Sequence, residues 1–205
     1  MVTDDARVVD ARSCQLESWA RHNRDGRVEL WAQPGCNVGG AELTAGGSWQ
    51  HADGHTAHTD RVLQAKTLWR TLEAGTWAWG TAVGVVDRPE DRVTEPYFYV
   101  PASVKLHGEQ LFGHLNVGMR REGSLRRNVV TGGLALEGQI SQRNWLVGET
   151  FAQDRGRPFY QAGLRHWIVQ DRMQVDATVG DRIGAGGRER WFSIGLRLLS
   201  PPFLP

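Results

Sequence analysis

At 205 residues the chain suits one domain, because all-β barrels and sandwiches commonly reach this size without dividing. Lysine plus arginine (24) nearly balances aspartate plus glutamate (23), so no whole-molecule field draws the chain to nucleic acid or to an anionic surface. The 25 glycines and 9 tryptophans against 3 methionines favour sheets over helical bundles, and the lack of any apolar run of about 18 residues excludes a membrane helix but not a membrane barrel.

Residues 1–12 read as an N-terminal arm, 13–200 as a barrel and 201–205 as a C-terminal tail. The first ten residues carry no apolar leader core, which leaves a cytosolic chain or a mature form whose signal peptide has been removed. From there about twelve runs alternate apolar and polar residues between turn signals, with no helical stripe among them. In the first hairpin, a turn centred on Asp25 sets Cys14 opposite Cys36, Trp19 opposite Trp31 and Arg21 opposite Glu29. Such cross-strand pairs contribute roughly 0.2–1 kcal/mol each. A Cys14–Cys36 disulfide is expected, and with it an oxidising compartment. Next come His51, His55 and His58, read as lying in a solvated loop over 51–60 rather than as a metal site. A tight turn at 73–75 then sets Trp69 against Trp79 on one face and, on the other, Lys66 against Ala82, Arg70 against Ala78 and Gln64 against Gly84. Long polar side chains facing small ones suit a crowded barrel interior. A turn at His107-Gly108 aligns Val104 with Leu111 and Val100 with Leu115, keeping Tyr99, Lys105, His114 and Asn116 on the opposite face. A turn at Gln170-Asp171 places Leu164 beside Ala177, Ile168 beside Met173 and Arg165 across from Asp176.

The connections alternate in character. Short ones (73–75, 107–108, 141–143, 170–171) are expected on one rim, and longer charged ones (51–60, 87–95, 121–128, 154–158, 180–189) on the other, as in outer-membrane barrels. The apolar face includes Leu111, Leu115, Val117 and Met119, then Val130, Leu134, Leu136 and Ile140, then Phe192, Ile194, Leu196 and Leu198. The opposite face carries His114, Asn116, Arg120, Glu137 and Arg197, too polar for the core of a soluble barrel. The apolar side is therefore expected to face lipid, with Trp69, Trp77 and Trp79 at the interface.

This meander, ending in the amphipathic strand Arg190-Trp191-Phe192-Ser193-Ile194-Gly195-Leu196-Arg197-Leu198-Leu199, resembles the Gram-negative outer-membrane β-barrel class. The resemblance implies an antiparallel up-and-down transmembrane β-barrel of about twelve strands in the cell outer membrane. Its partners would be outer-membrane lipid, the assembly machinery that reads the last strand, and other envelope proteins. A departure from the class is the ending, where Pro201-Pro202-Phe203-Leu204-Pro205 follows the strand in place of a terminal aromatic residue.

Lys66, Arg70, Lys105, His114, Arg120, Glu137, Glu149, Arg165, Asp176 and Arg197 are the expected inward set. They could line a small passive channel for ions or small polar solutes, or pair off and fill the barrel as a structural subunit or scaffold of an envelope assembly. A soluble ligand-binding barrel and a lipid hydrolase built on the apolar-face His166 rank behind these. No cofactor, metal or catalytic residue is expected, nor a phosphate cradle at the Gly-Gly pairs, since none precedes a helix.

Overall fold

The computed structural model describes residues 2–123 and 125–205. Met1, in the expected arm, and Ser124, in the expected 121–128 loop, lie outside the described residues. Period-2 alternation carries almost the whole chain into twelve strands: β1 Cys14–Asn23, β2 Val28–Val38, β3 Ala41–Ala52, β4 His55–Arg70, β5 Trp77–Arg88, β6 Val93–His107, β7 Leu111–Glu122, β8 Arg127–Gln139, β9 Asn144–Gln153, β10 Phe159–Val169, β11 Met173–Arg182 and β12 Trp191–Leu199. Each pairs antiparallel with its sequence neighbours, and β1 closes on β12, so no strand edge is left unpaired.

The faces divide as the alternation requires. Leu63 and Leu134 are 61% and 57% exposed, whereas Lys66 and Glu137 are 5% and 3% exposed. Greasy side chains coat the outside and charged ones fill the middle, an arrangement stable only with hydrocarbon around the barrel. One rim gathers residue 13, residue 200 and the 39–40, 71–76, 108–110, 140–143 and 170–172 connections, and is called the near rim here. Trp69, Trp77 and Trp79 lie exposed beside it, while Trp49 and Tyr160 are exposed toward the opposite, far rim.

The first hairpin has the expected register throughout, with Cys14↔Cys36, Trp19↔Trp31 and Arg21↔Glu29, and the two cysteines are joined. Gln64↔Gly84, Lys66↔Ala82, Leu164↔Ala177 and Arg165↔Asp176 also hold. Four irregularities interrupt the ladders, three of them next to near-rim turns. Between Leu68 and Arg70 the register slips so that Arg70, not Trp69, stands opposite Trp79. Between β6 and β7 the turn spans 108–110 instead of 107–108, and with a slip between Lys105 and His107 this leaves Val104 facing Gly113 and Val100 facing Val117. Between Trp167 and Val169 it slips so that Met173 meets Val169 instead of Ile168. A β-bulge adds one unpaired residue and re-aims the side chain beside it, which pairing arithmetic over a uniform ladder does not register.

The expected long loops are a second correction. Strands β3 and β4 continue to a two-residue Asp53-Gly54 turn with both residues at positive φ (49° and 77°), the turn geometry that matches strand twist. His51, His55 and His58 therefore sit on a paired hairpin, His51 bonded to Thr56 at 2.9 Å and His58 beside Trp49. Three other far-rim connections shorten as well, to 89–92, 123–126 and 183–190, while 154–158 has the expected bounds and 24–27 closes the first hairpin. Polar residues there continue the ladder because strands that clear the bilayer need no apolar face.

Candidate functional site

The arm does not dangle. It enters the lumen at the near rim and climbs to about the middle, without strand pairing, held by side chains of the wall. Asn37 Nδ2 donates to the Val9 carbonyl at 2.7 Å, and the Val9 N–H donates to Glu42 at 2.8 Å. The Ala6 N–H donates to Ser103 Oγ at 2.7 Å, and Ala6 packs against Leu72, Ala78 and Phe112 in an apolar cluster of the interior. Higher up, the Val2 and Thr3 N–H groups donate to the two carboxylate oxygens of Glu149 at 2.8 and 2.6 Å. Thr3 lies against Gly133, where an added Cβ would come within 2.5 Å of Thr3 Oγ1. Buried amides left unpaired are costly, so each of these wall acceptors helps fix the path of the arm.

The predicted inward set falls into three groups. Around the base, Glu137 accepts from Arg165, lies 3.5 Å from Arg7 of the arm and 3.7 Å from His114 Nε2, while His114 Nδ1 and Ser103 Oγ are 2.8 Å apart. Arg7 also covers the ring of Phe112 at 4.6 Å. Glu149 is bonded to the arm and to Gln161, and Lys66 pairs with Asp4 of the arm. These charges are neutralised, and with the arm they pack the near half of the barrel. Arg120, Asp176 and Arg197 also border the open space, Arg120 toward the far side, Asp176 across from Arg165, and Arg197 nearer the near rim, where it meets Gln15 at 2.9 Å and Glu17 at 3.3 Å. Lys105 sits by the near rim with Glu109 at 3.3 Å. Arg70 is a correction: the bulge beside it turns the guanidinium out of the lumen onto the Trp77 ring at 4.4 Å, where it donates to the Trp77 and Ala74 carbonyls.

Above the arm opens a chamber of about 690 Å³. Nine basic side chains stand on its wall against five acidic ones, and the acidic ones lie mainly low, among the paired groups. Higher up, Arg21 lies over Trp191 at 5.0 Å and 3.8 Å from Glu29, and Arg182 lies over Phe159 at 4.0 Å and meets Glu189 at 2.8 Å, while Trp19 and Trp31 stack at 5.3 Å. Among the described residues Arg120, Arg155 and Arg157 form no ion pair with a carboxylate, and the Nε atoms of Arg21 and Arg120 are buried without a hydrogen-bond partner. The chamber is thus cationic and aromatic together. Arg155, Arg157 and Arg182 lie in or beside connections read as loops, and only closure of the sheet brings them over one space. The Trp19–Trp31 pair is the part of this wall that cross-strand pairing signals.

On the outer face His166 Nδ1 is 2.8 Å from Asn144 Oδ1, and Asn144 Nδ2 donates to Ser141 Oγ at 2.6 Å. The serine is engaged by the amide rather than by the imidazole, so this trio lacks the serine–histidine contact that a hydrolase needs. Among the described residues no group of histidine, cysteine, aspartate or glutamate forms a metal cluster.

The barrel is similar in fold to solved porins. The KdgM porin superposes with a TM-score of 0.67 at 8% identity, over 90% of this chain and 98% of that one, and KdgM has also been solved in complex with disordered oligogalacturonate. The NanC porin gives 0.70 at 11% identity, over 89% and 98%. The outer membrane protein Omp33 of Acinetobacter baumannii gives 0.53 at 6%, over 91% and 97%. No curated protein matches the sequence. A family model matches residues 1–199, and the chain belongs to that family, the uncharacterised conserved protein UCP029691.

Proposed function

We propose that this chain is an outer-membrane porin-like barrel that collects small anionic solutes in its far-side chamber and passes them passively, with the arm setting the constriction in the near half. The observation that carries this reading is the chamber lining, where nine basic side chains stand against five acidic ones and, among the described residues, Arg120, Arg155 and Arg157 form no ion pair with a carboxylate. Uncompensated positive charge in a confined low-dielectric space concentrates anions, and flat aromatic faces suit solutes with an apolar side, such as sugar acids. The KdgM complex with oligogalacturonate, a polyanionic saccharide, supports the same solute class. Outer-membrane lipid would contact the apolar exterior, the assembly machinery would read β12, and envelope proteins would meet the rims.

Full-length protein in planar bilayers under a potassium chloride gradient should give a reversal potential of the sign expected for chloride preference. Arg120→Gln combined with Arg155→Gln should shift it toward zero. Cation preference in the unaltered barrel would refute the reading. A second reading, a filled structural barrel, is favoured by the packed base of Ala6, Leu72, Ala78 and Phe112. A barrel that stays silent both intact and with residues 2–10 deleted would select it.

A further inference from the structure

Lys66 faces the lumen nearly fully buried, where an ammonium without a counter-charge is strongly disfavoured. The nearest wall carboxylate, Glu42, is engaged by the Val9 N–H at 2.8 Å and by the Gln15 side-chain amide at 3.2 Å. The counter-charge comes from the arm instead. Lys66 Nζ donates to both carboxylate oxygens of Asp4 at 3.0 and 2.9 Å, and the Tyr99 hydroxyl donates to the same carboxylate at 2.7 Å. With its amide nitrogen toward the Asp4 carbonyl at 2.8 Å and its oxygen accepting from the Asp4 N–H at 2.7 Å, Asn116 clamps the main chain around that residue. Tyr97 stacks on Tyr99 and donates to Gln64 Oε1 at 2.9 Å, which leaves the single Tyr99 hydroxyl proton for Asp4. Wall donors therefore converge on a carboxylate that the wall does not supply. Asp4, Lys66, Tyr99 and Asn116 also border the chamber, at its floor.

We infer that Lys66 and Tyr99 form a carboxylate-binding site filled by the chain's own Asp4, and that a carboxylate-bearing solute collected in the chamber displaces Asp4 and frees the arm from the near half of the lumen. The inference rests on the reading of the chamber as an anion-collecting space. Its thermodynamic logic is competition. The solute binds the arm-free barrel and not the arm-docked one, so it shifts the balance by its full affinity for the vacated site. Tethering gives Asp4 a high effective concentration, so a free carboxylate competes at millimolar levels. The arm is suited to release because it docks through separate hydrogen bonds to side chains, without a continuous ladder.

The test is hydrogen exchange of the arm amides in full-length folded protein in detergent, with succinate as the carboxylate probe, neutral succinamide as its match in shape, and chloride as its match in ionic strength. Succinate should speed exchange of Thr3, Ala6 and Val9 by about tenfold, as expected when a ligand takes most of the population into the open state, and neither control should. Asp4→Asn should give fast exchange without any addition, while heat-modifiable migration shows that the barrel is intact. Lys66→Met and Tyr99→Phe, tested separately, should blunt the response to succinate. Arm exchange indifferent to succinate, or accelerated equally by succinamide, overturns the inference, as does an Asp4→Asn protein as protected as the original. An arm that succinate frees in a barrel that never conducts keeps the site and removes the channel. A conducting barrel whose arm ignores succinate does the reverse.

Discussion

Gly132 and Gly133 are neighbours on β8, and alternation sends them to opposite faces. Replacing each with alanine in turn separates the arm from the barrel as sources of stability. A Cβ at Gly132 points outward and meets nothing closer than the Asn116 carbonyl oxygen at 3.9 Å. That substitution should stabilise the barrel by roughly 0.4–1 kcal/mol through the unfolded chain alone. A Cβ at Gly133 lands 2.5 Å from Thr3 Oγ1 and 3.3 Å from Thr3 Cβ, so about an ångström of movement is required of the wall or of the arm. The wall strand is paired on both sides, to β7 and β9, whereas the arm at Thr3 is held by its 2.6 Å bond to Glu149. The arm should yield, at an overpacking cost of about 1–3 kcal/mol, a factor of roughly 5–150 in its docking equilibrium. Exchange of the Thr3 and Ala6 amides should accelerate by that factor in Gly133→Ala and not in Gly132→Ala. The temperature of the heat-modifiable shift should not fall in either. A Gly133→Ala barrel that loses thermal stability while its arm stays protected would refute this account of which partner gives way.

Two further outcomes are expected. Replacing both Cys14 and Cys36 by serine, or reducing the wild-type protein, should lower barrel stability by about 3 kcal/mol on the chain-entropy model for a loop of this length. Denaturant titration of unfolding reads the effect, and an unchanged midpoint would exclude it. At the far-rim turn, the Arg27 N–H donates to Asp25 Oδ1 at 3.2 Å and the Arg27 guanidinium meets Oδ2 at 2.8 Å, which holds the Asp25 carboxyl below its ordinary value. A depressed folded-state pKa means that the contact contributes above the unfolded value and is lost as pH falls through the folded one. A carboxyl titration by NMR should therefore show Asp25 titrating below an unperturbed aspartate, with the 24–27 turn loosening only as that lower midpoint is passed. A midpoint at or above the ordinary aspartate value would contradict the geometry.

Ladder stretches of uniform register were legible residue by residue. The pairs Cys14–Cys36, Trp19–Trp31, Lys66–Ala82 and Arg165–Asp176 follow from counting across a turn, because a two-strand register keeps the sum of partner numbers constant. Arg70 was misassigned because a bulge breaks that sum, and nothing in the residues around Leu68 announces one. The longer β6–β7 turn and the one-residue slip beside it together moved pairs by two residues and so left every face intact. The far-rim loops were overestimated because charged residues end an apolar pattern without ending hydrogen bonding. Of the lumen, the inward charges Lys66, Glu137, Glu149 and Arg165 were identifiable, but their partners in the arm were not. Asp4 meets Lys66 across 62 positions and Thr3 meets Glu149 across 146, and the arm has no alternation to mark it as structured.

Sequence alone therefore determined which side of each strand is greasy, because side-chain alternation has a period of two residues and is written locally, whereas the closed sheet decided that the greasy side points out and the charged side in. Whether the interior is open or occupied was decided only by closure of the sheet. Closing twelve strands sets facing walls at a fixed distance, and the volume left there admits the arm below and leaves a cationic chamber above. Those encounters join residues that no local period relates.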